Sequence, residues 1–185
     1  MKEWPDLSAI FRDIPWAVIG GVATRAYMPE RQTQDLDVFV RVADAQAARA
    51  LLVRAGFALI GELTIGGATW RAPEGWLLDV IETDAVWATE ALSRVERDPQ
   101  GLPVLALPYF VLMKWEAGRL RDLADAQQML GLADEEARSA TRAVFARHAP
   151  EALEDLEGLI ALGQLEMGKG SVEGPQGDRG PRGEG

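Results

Sequence analysis

The chain has 185 residues, 48% hydrophobic and 26% charged, a balance that suits one compact domain, or one domain with a small helical appendage, with a real core. It has no cysteine and a single histidine, His148, so disulfides, zinc–thiolate sites and multi-histidine metal sites are excluded; a metal would need oxygen ligands, which points to a hard ion such as Mg2+ or Mn2+. The net charge of −10 speaks against extended DNA or RNA binding, no apolar run approaches the ~18 residues of a membrane helix, and Asp6, Arg12 and Asp13 interrupt any signal-peptide pattern, so the expected compartment is the cytoplasm.

Leu7, Ile10 and Phe11 predict a short amphipathic helix over residues 1–14. Trp16–Ile19 is an apolar run stopped by Gly20-Gly21, the pattern of a buried strand, and Val22–Tyr27 follows as a helix closed by Met28-Pro29. Leu36–Arg41 predicts the next strand. Ala43–Ala55 is alanine-rich and helix-forming, with Gly56 where a C-cap glycine belongs. Phe57–Leu63, Ala68–Ala72 and Trp76–Glu82 predict strands, the last two joined by a Pro73-Glu74-Gly75 turn. Asp84–Arg97 reads as a helix, Asp98–Gly101 as a turn and Pro103–Ala106 as an extended piece. Pro108 suits a first helical turn, and that helix is expected to run to about Leu130. Helices over roughly Asp134–Arg147 and Glu151–Glu166 follow. From about Gly168 the chain is glycine-rich and polar. Gly174, Gly177, Gly180 and Gly183 fall every third residue, too few triplets for a collagen helix, so a disordered tail is expected. The predicted organisation is an α/β core over 1–106, a helical region over 107–167 and a tail over 168–185.

The chemistry concentrates in a few positions. Residues two apart on a strand share a face, ~7 Å apart along the chain, so Asp35 and Asp37 should project together while Leu36 and Val38 enter the core. Two like charges on an apolar strand are costly, and a divalent cation removes that cost. Gly20-Gly21 lies between a strand and a helix, where backbone amides approach an anion closely. Asp79, alone in the apolar run Trp76–Ile81, is either a third carboxylate of a metal site or the partner of an arginine. On a continuous helix Lys114, Gly118, Arg121 and Asp125 share one face beside an apolar stripe, reading either as a cleft wall or as a solvated face laced with salt bridges. Gly118 costs such a helix ~1 kcal/mol against alanine, and space left open above Lys114 for a nucleotide would account for it. His148 reads as a surface residue or helix cap, and the tryptophans as core and cleft lining.

The hydrophobic-Gly20-Gly21 pair, thirteen intervening residues and Asp35-Leu36-Asp37-Val38 together resemble the signature of the DNA polymerase beta nucleotidyltransferase superfamily, over roughly residues 16–130. Arg31-x-Thr33-x-Asp35-Leu36-Asp37, and Lys114 followed by Arg119-x-Arg121-Asp122-x-x-Asp125, look like the branch containing AbiEii-type toxins and related small bacterial nucleotidyltransferases. The resemblance implies a minimal nucleotidyltransferase fold, a small mixed sheet flanked by helices. It also implies metal-dependent transfer of a nucleoside monophosphate from a nucleoside triphosphate. Asp35, Asp37 and Asp79 would hold Mg2+ or Mn2+, with Asp79 nearest the attacking oxygen, and Lys114 would neutralise the triphosphate or the departing pyrophosphate. Gly20, Gly21, Arg31, Thr33, Arg121 and Asp125 would border the nucleotide. The acceptor stays open between an RNA end such as that of a tRNA, a protein hydroxyl and a small molecule, and a cognate antitoxin is an implied partner. Two other roles fit the same residues: an antibiotic-modifying nucleotidyltransferase, and a non-catalytic antitoxin or binding protein that keeps the fold.

Overall fold

A computed structural model describes residues 3–29 and 32–169. Within them, β1 (Ala17–Ile19), β2 (Leu36–Arg41), β3 (Ala58–Glu62), β4 (Gly67–Arg71), β5 (Leu77–Thr83), β6 (Glu96–Arg97) and β7 (Pro103–Val104) form one mixed sheet in the order β3-β4-β5-β2-β1-β7-β6. The centre is β5-β2-β1, with β2 parallel to β5 and antiparallel to β1. Strand alternation sorts the side chains. Leu36, Val38 and Val40 of β2 and Leu78 and Val80 of β5 are fully buried on one face. The helix α2 (Val42–Arg54) covers that face with Ala48 and Leu52, and its Arg49 bridges Glu62 and Glu82. On the other face Phe39 stacks on Trp87, which in turn stacks on Tyr109.

The helices are α1 (Gly20–Ala23), continued by a 3-10 turn over Thr24–Ala26, then α2, α3 (Ala88–Ser93), α4 (Leu107–Ala117), α5 (Leu120–Leu132), α6 (Glu135–His148) and α7 (Leu153–Lys169). The molecule is therefore α/β, a mixed sheet flanked by helices with further helices at its C-terminal end, as the sequence predicts. Asp134 caps α6 by accepting from the Ala137 N–H at 2.8 Å. The α5 and α7 helices cross where two glycines meet: a Cβ on Gly163 would lie 2.2 Å from the Gln127 carbonyl oxygen and 2.9 Å from the Gly131 nitrogen.

Several predicted elements differ. The N-terminal helix reduces to one 3-10 turn at Leu7–Ala9, capped by Asp6 accepting from the Ser8 N–H at 2.9 Å, and Pro15 disfavours helical backbone at Ile14 before it. The helix expected over Asp84–Arg97 shrinks to α3. Glu96 and Arg97 instead pair with Val104 and Pro103 around the Asp98–Gly101 turn, where Asp98 accepts from the Gln100 and Leu102 N–H groups. The expected helix from Pro108 to Leu130 is two helices. Gly118 adopts φ +63°, and its N–H caps α4 through the Lys114 and Trp115 carbonyls. The tail expectation falls mostly on residues 170–185, outside the described residues, and α7 continues through Gly168 to Lys169.

Candidate active site

The register of the sheet builds the site. Ile19 on β1 lies opposite Asp37 on β2, Asp37 opposite Asp79 on β5, and Asp79 opposite Thr69 on β4. One row across the strands thus carries two carboxylates side by side. Asp35 lies in the bend just before β2 rather than on the strand, and joins them from the end. Carboxylate oxygens of Asp35, Asp37 and Asp79 all lie within 4.8 Å of one another. They sit at the floor of a cavity of about 590 Å3 whose walls include Gly20, Gly21, Leu63–Ile65, Met113 and Lys114, with Arg119, Arg121 and Asp122 at the α4–α5 junction.

The three carboxylates are not equivalent. The Thr33 hydroxyl donates to Asp35 at 3.0 Å, and the Thr69 hydroxyl donates to Asp79 at 2.6 Å. Asp37 accepts no hydrogen bond among the described residues. Burial, then the neighbouring charges of Asp35 and Asp79, push its carboxyl up to about 7, against the opposing pull of Arg119 and Lys114. Behind it stands Gly20 at φ +63°, where a Cβ would come within 1.9 Å of an Asp37 carboxylate oxygen. The first glycine of the pair is therefore required twice: for its backbone conformation, and because any side chain would occupy the space of the central carboxylate. Gly21 packs on Thr33, at 3.1 Å from a notional Cβ. A half-buried cluster of three oxygen donors, the central one without a donor of its own, suits a hard divalent cation.

No protein-family model matches the chain, and no curated protein matches it in sequence. Solved structures similar to it include the crystal structure of ANT(2'')-Ia in complex with adenylyl-2''-tobramycin, at TM-score 0.46 and 16% identity over 86% of this chain and 92% of that chain. The solution structure of the antibiotic-resistance factor ANT(2'')-Ia gives 0.45 and 16% over 88% and 90%. The lincomycin-bound lincosamide antibiotic adenylyltransferase LnuA gives 0.42 and 12% over 66% and 89%.

The remaining predicted residues divide. Lys114 lines the cavity but is only 2% exposed, and its ammonium is held by Asp122 at 2.9 Å and Asp125 at 2.8 Å, with the Phe110 ring 5.1 Å away. Asp125 is buried and belongs to this ion cluster, not to the cavity wall. Arg121 is exposed and does reach the cavity. Arg31 lies outside the described residues. No arginine pairs with Asp79 among the described residues; its partner is Thr69.

Three site residues were given no role by sequence reasoning. Thr69 is an ordinary β-branched residue on a strand and gives no signal. Asp122 and Arg119 stand within the Arg-x-Arg-Asp-x-x-Asp segment, off the face that a continuous helix would present. Asp122 joins Lys114 to Arg119, whose Nε donates to it at 2.5 Å. Burial raises the Asp122 carboxyl, but the hydrogen bonds from Lys114 and Arg119 outweigh that and hold it below the usual carboxylate range.

Proposed function

We propose that the chain is a metal-dependent nucleotidyltransferase, moving a nucleoside monophosphate from a nucleoside triphosphate to an acceptor hydroxyl. The convergence of Asp35, Asp37 and Asp79 within 4.8 Å on a cavity floor carries this reading. When bound at these carboxylates, Mg2+ or Mn2+ would tie them to phosphate oxygens and stabilise charge on the attacking and leaving oxygens. Thr33 and Thr69 hold the flanking carboxylates in orientation, and Gly20 leaves room for the central one. Arg119 is exposed at the cavity wall with its Nε anchored on Asp122, so its terminal nitrogens are placed to receive the triphosphate, with Arg121 beside it. Lys114 contributes positive charge to the cleft from a fixed, buried position. A binding protein or antitoxin that kept only the fold would have no need of a positive-φ glycine making room for an aspartate that accepts no hydrogen bond among the described residues.

Incubating the full chain with each α-labelled nucleoside triphosphate, Mg2+ and a bacterial lysate should give a labelled product, and equilibrium dialysis should show Mg2+-dependent nucleotide binding. A chain that neither binds nucleotide nor forms labelled product sinks the reading. Growth on induced expression tests the toxin role that the AbiEii resemblance adds.

A further inference from the structure

The cavity is polarised. Gly20 and Gly21 flank Asp37 on the β1 side, and the cations lining the cavity, Lys114, Arg119 and Arg121, all come from α4 and its junction with α5. Beyond Asp79, toward β4, the wall changes character. It consists of Leu63, Thr64 and Ile65 from the β3–β4 turn together with Ile81 on β5, and none of these carries a charge. The anionic triphosphate belongs against the α4–α5 wall, where the cations are. An acceptor attacking the α-phosphorus in line must enter from the opposite side, past Asp79 and beneath the turn.

That turn is built rigidly. The Leu63 N–H donates to the Gly67 carbonyl at 2.8 Å, and the Gly66 N–H to the Leu63 carbonyl at 3.2 Å. Gly66 and Gly67 take φ of +94° and +100°, and a Cβ on Gly67 would lie 1.9 Å from the Val80 carbonyl oxygen, so the turn lies against β5 with no room for a side chain there. It holds Ile65 at the cavity wall with 66% of its surface exposed. A bulky apolar side chain fixed in that position offers dispersion contact and no hydrogen bond.

We infer, on the strength of the nucleotidyltransferase reading, that the Leu63–Ile65 turn and Ile81 form the acceptor subsite, and that the acceptor is a small neutral alcohol presenting an apolar face beside its hydroxyl. A polycationic amino sugar needs carboxylates free to meet it, and among the described residues lining this cavity the carboxylates are Asp35, Asp37 and Asp79, which would hold the metal, and Asp122, which is already paired with Lys114 and Arg119. An RNA end needs cations along its backbone, and neither this wall nor the net charge of −10 supplies them. A cavity of about 590 Å3 is of small-molecule size. In the reaction the acceptor oxygen forms a bond to the α-phosphorus, the bond from that phosphorus to the bridging oxygen breaks, pyrophosphate leaves, and the hydroxyl proton passes to Asp79.

The test uses the full chain, Mg2+, α-labelled nucleoside triphosphates and defined acceptors: 4-nitrophenyl β-D-glucopyranoside and chloramphenicol as neutral alcohols with aryl faces, tobramycin as a polycation, bulk tRNA, and casein as a protein hydroxyl source. Label should enter at least one neutral alcohol, about tenfold or more faster than tobramycin, tRNA or casein, and Ile65→Asp should lower that rate by about tenfold or more, the scale on which an apolar pocket contact discriminates. Ile65→Leu should retain the rate, and Mg2+-dependent nucleotide binding should be the same in all three proteins. Faster labelling of tobramycin, tRNA or casein overturns the inference, as does an Ile65→Asp rate equal to the parent's. Nucleotide binding with no labelled neutral alcohol also overturns it and leaves the nucleotidyltransferase reading standing. Loss of nucleotide binding in the parent instead overturns that reading itself.

Discussion

Replacing Asp37 with asparagine should abolish transfer and, without metal, make the protein more stable than its parent. Asparagine preserves the shape and removes the charge that burial, Asp35 and Asp79 all oppose. The Asp37 carboxyl is raised from an ordinary 3.8 to about 7. At about 1.4 kcal/mol per unit this corresponds to a penalty on the order of 4 kcal/mol for ionising it in the fold. Solvent at the cavity mouth screens part of that, so a gain of about 2 kcal/mol is expected. The sign follows from proton binding. Below about pH 4 Asp37 is protonated in both the folded and unfolded chain and contributes nothing. Between about 4 and 7 the folded chain keeps a proton that the unfolded chain has lost, so stability falls as pH rises, and above about 7 the whole penalty is present. The advantage of Asp37→Asn should therefore be absent near pH 4 and largest at pH 8, where about 2 kcal/mol raises the melting temperature of a chain this size by roughly 4–8 °C. Adding Mg2+ at pH 8 should stabilise the parent, by about 2.7 kcal/mol at a hundred times its dissociation constant, and the variant far less. Thermal melts at the two pH values, with and without Mg2+, measure all of this. A variant that melts well below the parent at pH 8 without metal, with Mg2+ changing neither, would mean that Asp37 holds a structural partner, and the metal-site argument would fail.

Other substitutions read the surrounding structure. Lys114→Met leaves the carboxylates of Asp122 and Asp125 buried without their ammonium and should cost about 3–5 kcal/mol in urea denaturation; adding Asp122→Asn and Asp125→Asn should recover much of the loss, and a single variant as stable as the parent would return Lys114 to a purely catalytic role. Thr69→Val removes the hydroxyl that orients Asp79 and should weaken Mg2+ affinity about tenfold or more in a titration, with at most ~1 kcal/mol of stability lost. An unchanged affinity would show that Asp79 needs no such support. Gly163→Ala drives a methyl group toward the Gln127 carbonyl and should destabilise the α5–α7 crossing by about 1–3 kcal/mol, with nucleotide binding retained in the folded fraction. A melting temperature matching the parent's would mean that the two helices can separate at little cost.

The carboxylate cluster was legible because strand alternation and burial act locally. Asp37 and Asp79 are isolated charges in apolar runs, and an isolated charge on a buried strand needs a reason. What a single strand could not show is register. Pairing of β2 with β5 sets Asp37 beside Asp79, and pairing of β5 with β4 brings Thr69 to Asp79, a contact between residues ten apart that no periodicity encodes. Gly20 was legible only in part: its place after a strand suggested close approach by a ligand, whereas its immediate neighbour is the Asp37 carboxylate. The short strand β6 was hidden because two residues carry no period, whereas the turn after it and the extended piece over Pro103–Ala106 that contains β7 were visible.

The helix read across Gly118 shows how a correct local pattern leads to a different site. At ~100° per residue, a continuous helix puts Arg121 and Asp125 nearly in line with Lys114 and turns Asp122 about 80° away. With the helix ended at Gly118, α5 packs against α4, and both Asp122 and Asp125 reach the same ammonium. Two carboxylates now fix Lys114 in a buried position, where moving it toward a substrate would strand their charges. The arginines after the break are exposed at the cavity wall instead, and the same Asp122 that holds Lys114 anchors Arg119 by its Nε. The glycine that ends the helix thus separates two positions that the linear pattern puts on one face: a buried lysine whose charge bears on Asp37, and exposed guanidinium groups at the cavity wall which, under the proposed function, would meet a phosphate chain.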